Sequence, residues 1–269
     1  MASTCSSLTA STSSSPYGFR TSATVNPLSL GALSSPIAHP KPRPSRLALS
    51  LPRRLFLPSA SAIWDALTGG NRARDASLAV RRGMLLFRQG DVAGSLAEFD
   101  RAIELDPRQK ASLIGPVSDL WQRGLSLYYL NRFEEGAEQF RLDVAANPND
   151  TEESIWCFLC EAQLYGVEEA RKRFLEVGQD PRPVMRQAYN LFKDGGDPKK
   201  LVTTFSNGQE NECFYASLYA GLFNESQNDM DAAKLNILAA CQSPYGSRSD
   251  DYMASLAKVH CLCRNWSFS

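Results

Sequence analysis

Few residues here could carry acid–base chemistry. The 269 residues include two histidines, His39 and His260, so a nucleophile–base–orienter arrangement has little material. No apolar run approaches the roughly 20 residues needed to cross a bilayer as a helix, which leaves peripheral association as the only membrane role to expect. The glycine pairs Gly69-Gly70 and Gly195-Gly196 lack the spacing of phosphate-binding or dinucleotide loops. Carboxylate pairs such as Glu134-Glu135, Glu152-Glu153 and Glu168-Glu169 fall at expected helix starts, where the helix dipole accounts for them. The expectation is a protein that is not an enzyme and needs no cofactor or metal.

Acidic residues are missing from one end altogether. Between Met1 and Ala62 there is no Asp or Glu, whereas Arg20, Lys41, Arg43, Arg46, Arg53 and Arg54 are basic and eight prolines interrupt the segment. Such a stretch cannot bury enough apolar surface to offset its chain entropy. Acid-free, rich in Ser and Pro, and beginning Met-Ala-Ser, residues 1–62 read as a disordered chloroplast transit peptide. Arg53-Arg54, Leu55-Phe56-Leu57 and Ala60-Ser61-Ala62 follow the order of a twin-arginine signal for the thylakoid lumen, although Pro58 breaks a very short apolar region. Stroma and lumen both stay open. Six of the 29 basic residues lie in this segment, leaving 23 against 29 acidic in residues 63–269, a balance of about −6. An acidic chain without a basic run is not a nucleic-acid surface.

What the remainder does have is an internal echo. Residues 81–107 and 122–148 match at a fixed offset: Gly83 with Gly124, Ser95 with Gly136, Phe99 with Phe140 and Pro107 with Pro148. In the first unit the spacing predicts a helix over about Asp75–Gln89, a Gly90-Asp91 turn, and a second helix over Val92–Leu105 carrying Ser95, Phe99, Ala102 and Ile103 on one stripe. Asp106-Pro107 ends it. Repetition of this kind marks a solenoid, whose units bury their apolar faces by stacking on neighbours.

These residues resemble the tetratricopeptide repeat (TPR) family. In the first unit its small, aromatic and closing positions hold Gly83, Ser95, Phe99, Ala102 and Pro107; in the second they hold Gly124, Gly136, Phe140 and Pro148, with Asp143 in place of the usual Ala. A seven-residue excess falls in 108–117. A third unit pairs Glu152–Tyr165 with Glu168–Val177, using Ala170 and Phe174. A fourth pairs Glu212–Phe223 with Asp229–Cys241, with Ser217 as the small residue and Ala233, Ile237 and Ala240 on the second helix. Pro183–Lys193 forms a further helix between these pairs, and Asp250–Cys263, N-capped by Ser249, forms a last one over the open end. The resemblance implies an all-α, right-handed α-solenoid of TPR hairpins with repeats at about 76–109, 117–150, 151–184 and 210–244 and a capping helix at 249–265, all within a helical domain spanning 63–269.

The order of these parts also resembles the bacterial periplasmic lipoprotein family of NlpI, helical adaptors for processing proteases and cell-wall hydrolases. That implies a non-catalytic scaffold or adaptor with a protein partner, for a thylakoid processing protease or photosystem assembly. TPR proteins that grip chaperone tails use Lys, Asn and Arg at positions that here hold Val80, Met84, Gln122, Glu152 and Trp156. A chaperone C-terminus is therefore not the expected ligand, and Val80, Met84, Trp121, Gln122, Tyr128 and Trp156 form the candidate groove. The alternative from another class is a thiol-dependent redox protein using Cys157 and Cys160. In an oxidising compartment a disulfide such as Cys213–Cys241 would also be compatible with the sequence.

Overall fold

A computed structural model describes residues 60–107 and 120–267, with side chains from residue 71 onward. Among these residues the protein is all-helical, with twelve helices and no strand. They are α1 (Ala60–Arg88), α2 (Val92–Leu105), α3 (Trp121–Tyr129), α4 (Phe133–Ala146), α5 (Thr151–Tyr165), α6 (Val167–Lys172), α7 (Pro183–Asp194), α8 (Pro198–Phe205), α9 (Glu210–Ser226), α10 (Met230–Gln242), α11 (Pro244–Arg248) and α12 (Tyr252–Cys263). None is long and apolar enough to cross a membrane. Residues 1–59 of the expected transit peptide and the enlarged junction at 108–117 lie outside the described residues.

One local device is used repeatedly to start these helices. Asp91, Asp150, Asp197, Asp229 and Asp251 are the N-caps of α2, α5, α8, α10 and α12, each carboxylate accepting from a backbone N–H of the first turn. That satisfies a donor the helix cannot bond internally. Asp91 does so 2.8 Å from the Gly94 amide, immediately after Gly90 turns the chain at φ 85°, a conformation that costs a glycine little.

Sequence neighbours pack on one another: α1 with α2, α3 with α4, α4 with α5, α8 with α9 and α9 with α10, while α7 lies against α5 and α9. The hairpin glycines explain how closely they approach. A methyl added at Gly83 would come within 3.1 Å of the Phe99 ring, and one at Gly124 within 2.6 Å of the Phe140 ring. The fourth pair uses the same close approach: a methyl at Gly221 would meet Ile237 at 2.7 Å.

The helix that was expected to cap the stack does more than that. α12 packs on α10 but also on α1, far away in sequence. Its N-cap is Asp251 rather than Ser249, whose hydroxyl instead accepts from the Asp251 amide at 3.0 Å.

Candidate interaction surface

Phe99, Phe140 and Ile237 sit between the two helices of their own pair, against Gly83, Gly124 and Gly221. Phe99, Phe140, Ala102, Ala170, Ala233, Ile237 and Ala240 are buried, Phe174 nearly so. Ser95 is buried as well, its hydroxyl 3.1 Å from that of Ser126 on α3, which ties the first hairpin to the second. Gly136 approaches α5, where a methyl would meet Cys160 Sγ at 3.0 Å. Pro107 and Pro148 are exposed at helix ends, and the Pro148 carbonyl accepts from the Gly178 amide at 2.8 Å. At the family's Ala position, Asp143 is buried and accepts from Gln139 Nε2 at 3.1 Å.

The candidate groove residues are not open and do not form one cluster: Val80 packs with Phe99 and Leu120, whereas Tyr128 and Trp156 belong to the larger core. Val80, Gln122, Tyr128 and Trp156 are 4%, 3%, 1% and 1% exposed, and Met84 and Trp121 are half-buried. Tyr128 packs edge-on against Trp156 with ring centroids 5.2 Å apart, and Phe140 stacks on the same indole at 6.4 Å. These two aromatics belong to the core between hairpins. Trp121 instead meets the edge of Tyr252, at 5.1 Å, and Tyr252 belongs to α12.

α12 is held across the first helices of the hairpins by two clusters. At its start, the Tyr252 ring stacks on Phe87 of α1 at 5.5 Å with the Arg88 guanidinium 5.3 Å from its centroid, and Arg88 Nη2 donates to the Asp250 carbonyl at 3.1 Å. The capping Asp251 also accepts from the hydroxyls of Tyr215 on α9 and Tyr245 on α11, each at 2.7 Å. At its far end, His260 is fully buried. Its Nδ1 lies 3.0 Å from the Tyr129 hydroxyl of α3, and its Nε2 lies 2.7 Å from Glu225 Oε2 of α9. Arg264 closes this cluster, donating from Nε to Glu225 Oε1 at 2.7 Å and approaching it with Nη2 at 2.6 Å.

Burial by itself raises the Glu225 carboxyl, but contact with His260 and the Arg264 guanidinium outweigh it and hold the group below its ordinary value. Burial, with Tyr128 and Glu225 nearby, pushes the Tyr129 phenol well up, so it stays a neutral hydroxyl.

The cysteines form neither the redox pair nor the Cys213–Cys241 link that the sequence left open. Cys157 and Cys160 are buried inside α5, and burial, assisted by Glu161, pushes the Cys157 thiol up to about 12. Burial also carries Cys160 well above its usual value. A redox or nucleophilic cysteine needs the thiolate, and this environment disfavours it. Cys213 points to the Phe205 carbonyl, 2.9 Å away, while Cys241 Sγ lies 3.8 Å from Cys261 Sγ. The pairing open to Cys241 is thus with Cys261 on α12, not with Cys213. Among the described residues no group of His, Cys, Asp and Glu is arranged to hold a metal ion.

Sequence reasoning missed the Tyr129–His260–Glu225–Arg264 cluster, because its members come from three helices whose meeting no local pattern announces. A comparison with protein-family models and with curated proteins finds no match.

Proposed function

We propose that this chain is a non-catalytic protein-interaction module: a right-handed α-solenoid of TPR-type hairpins, working in the chloroplast as a scaffold or adaptor. The observation that carries the reading is the seat of α12. One largely buried helix lies against α1, α3, α9 and α10, anchored by an aromatic at its start and a buried charge cluster at its end. Helix-in-groove recognition has this anatomy, with anchors on successive turns of the bound helix. The protein holds its own segment where a partner helix fits, in a self-occupied state.

The chemistry of the seat describes the partner. It is a helix carrying an aromatic residue where Tyr252 meets Phe87 and Trp121, and a cation about three turns later where Arg264 meets Glu225. The order of parts and the acid-free leader favour a thylakoid setting, with a processing protease or a photosystem assembly factor as the partner class.

A labelled synthetic peptide of residues 249–267 tests the seat. In a full chain whose own α12 is weakened by Tyr252→Ala and Arg264→Ala, with helix content checked by circular dichroism, the peptide binds at least tenfold more tightly than to the unmodified chain. Equal, absent or salt-abolished binding in both would sink the self-occupied groove. A fluorescent fusion carrying residues 1–62 that stays outside the chloroplast would remove the location, and a mature N-terminus near Ile63 would place the protein in the lumen.

A further inference from the structure

The structure assigns a reversible disulfide site to Cys241 and Cys261, joining the last turn of α10 to α12. The two sulfurs lie 3.8 Å apart, and their residues are 4% and 0% exposed. A disulfide bond is about 2.05 Å long, so side-chain rotation has to close less than about 2 Å between helices that already pack on each other. The pair is set apart from the other thiols. Cys157 and Cys160 share one helix, where a link would join nothing, and Cys213 is turned to the Phe205 carbonyl.

The pair is also chemically unequal. Contact with Cys241 lowers the Cys261 thiol against the opposing effect of burial, while the same contact and burial raise Cys241. Either sulfur can attack first and give the same disulfide; with Cys261 attacking, Cys241 resolves. The oxidant is hydrogen peroxide, small and uncharged enough to enter as α12 breathes. The Cys261 thiolate attacks one peroxide oxygen, the O–O bond breaks, hydroxide leaves and Cys261 becomes a sulfenic acid. Cys241 sulfur then attacks Cys261 sulfur, the S–O bond breaks, and the hydroxyl leaves with the Cys241 proton as water. Two thiols have lost two electrons to the peroxide, and a dithiol reductant reverses the change.

The link spans 20 residues of chain and staples α12 to α10. Its formation stands apart from the interaction reading, but its consequence rests on that reading: the oxidised protein cannot release α12 from the groove.

Peroxide at about 1 mM on the native full chain, followed by alkylation and intact mass, tests the site. The expected product is about 2 Da lighter, with a peptide map joining residue 241 to residue 261 and slowed amide exchange over 252–263. Cys241→Ala and Cys261→Ala each abolish the mass loss while keeping the helical spectrum. Accumulation of Cys261 sulfinic acid in the unmodified chain, a link to Cys213 or Cys263 instead, or thiols that stay fully alkylatable would each overturn the assignment. The unmodified chain alone decides these outcomes, so a variant that fails to fold does not blur them. If the link forms yet the 249–267 peptide binds oxidised and reduced chains alike, the disulfide site stands and the groove reading fails.

Discussion

Single residues decide how closely the hairpins approach, and the two matched glycines do not carry equal loads. A methyl at Gly124 would press to 2.6 Å from the Phe140 ring, one at Gly83 to 3.1 Å from Phe99. Overpacking of this kind costs about 1–3 kcal/mol, while replacing a mid-helix glycine by alanine returns up to about 1 kcal/mol of propensity. Gly124→Ala is therefore expected to lower the urea midpoint clearly, and Gly83→Ala to leave it nearly unchanged. A second residue-scale test concerns Glu153, buried on α5 beside Asp150 and Asp143; burial first, then those carboxylates, push it up to about 9. A carboxyl raised on folding stabilises most below its unfolded value of about 4.3 and progressively less as pH rises toward its folded value. Glu153→Gln should thus raise stability by at least about 1 kcal/mol at pH 8 and change little at pH 4, as thermal melts at the two pH values would reveal. The glycine–phenylalanine contacts were legible in the sequence because the repeat presents them twice at one offset. Glu153 was not, because a carboxylate at a helix start reads the same whether solvated or enclosed.

Among elements, the sequence shows helices with marked starts well and short ones poorly, and it misses the first half of α1, which begins at Ala60 rather than near Asp75. α2 and α5 begin and end within a residue of expectation, because their apolar stripes run three to four turns and Asp91 and Asp150 mark their starts. α8 and α11, of 8 and 5 residues, are too short for a 3.6-residue period to repeat convincingly. α6 stops at Lys172 rather than reaching Val177, and Ser154 Oγ donates to the Leu175 carbonyl in the extended stretch that follows. The element with most at stake is α12, held by Glu225. Removing one member of a buried charged group leaves the others uncompensated and commonly costs about 3–5 kcal/mol; with Arg264 partly exposed, about 2 kcal/mol is expected for Glu225→Gln. Amide exchange over 252–263 should accelerate in that variant while α2 is unaffected. The pH dependence has a definite sign. Glu225 is held below its ordinary value, so its support for α12 is complete above about pH 4.3 and is lost as pH falls through the folded value. Acid should loosen α12 in the native chain, and Glu225→Gln should erase that sensitivity.

For the whole molecule, the closure of α12 onto α1 was the part no sequence pattern could show. Periodicity reports which face of a helix is apolar, not which distant face will cover it, and the aromatics read as an open groove became partly core and partly the seat of α12. Tyr129 meets His260 across 131 positions, and Arg88 reaches Asp250 across 162. Such separations have a consequence for how the chain is made. Hairpins such as α1–α2 involve near neighbours and can form while the protein is still leaving the ribosome, at about 5–20 residues per second. Phe87, Trp121 and Tyr129 must then wait on the order of ten seconds or more for the helix that shelters them. Throughout that interval the nascent chain presents an aromatic strip awaiting its helix, and any chaperone that recognises such strips has its opportunity before the protein's own helix arrives.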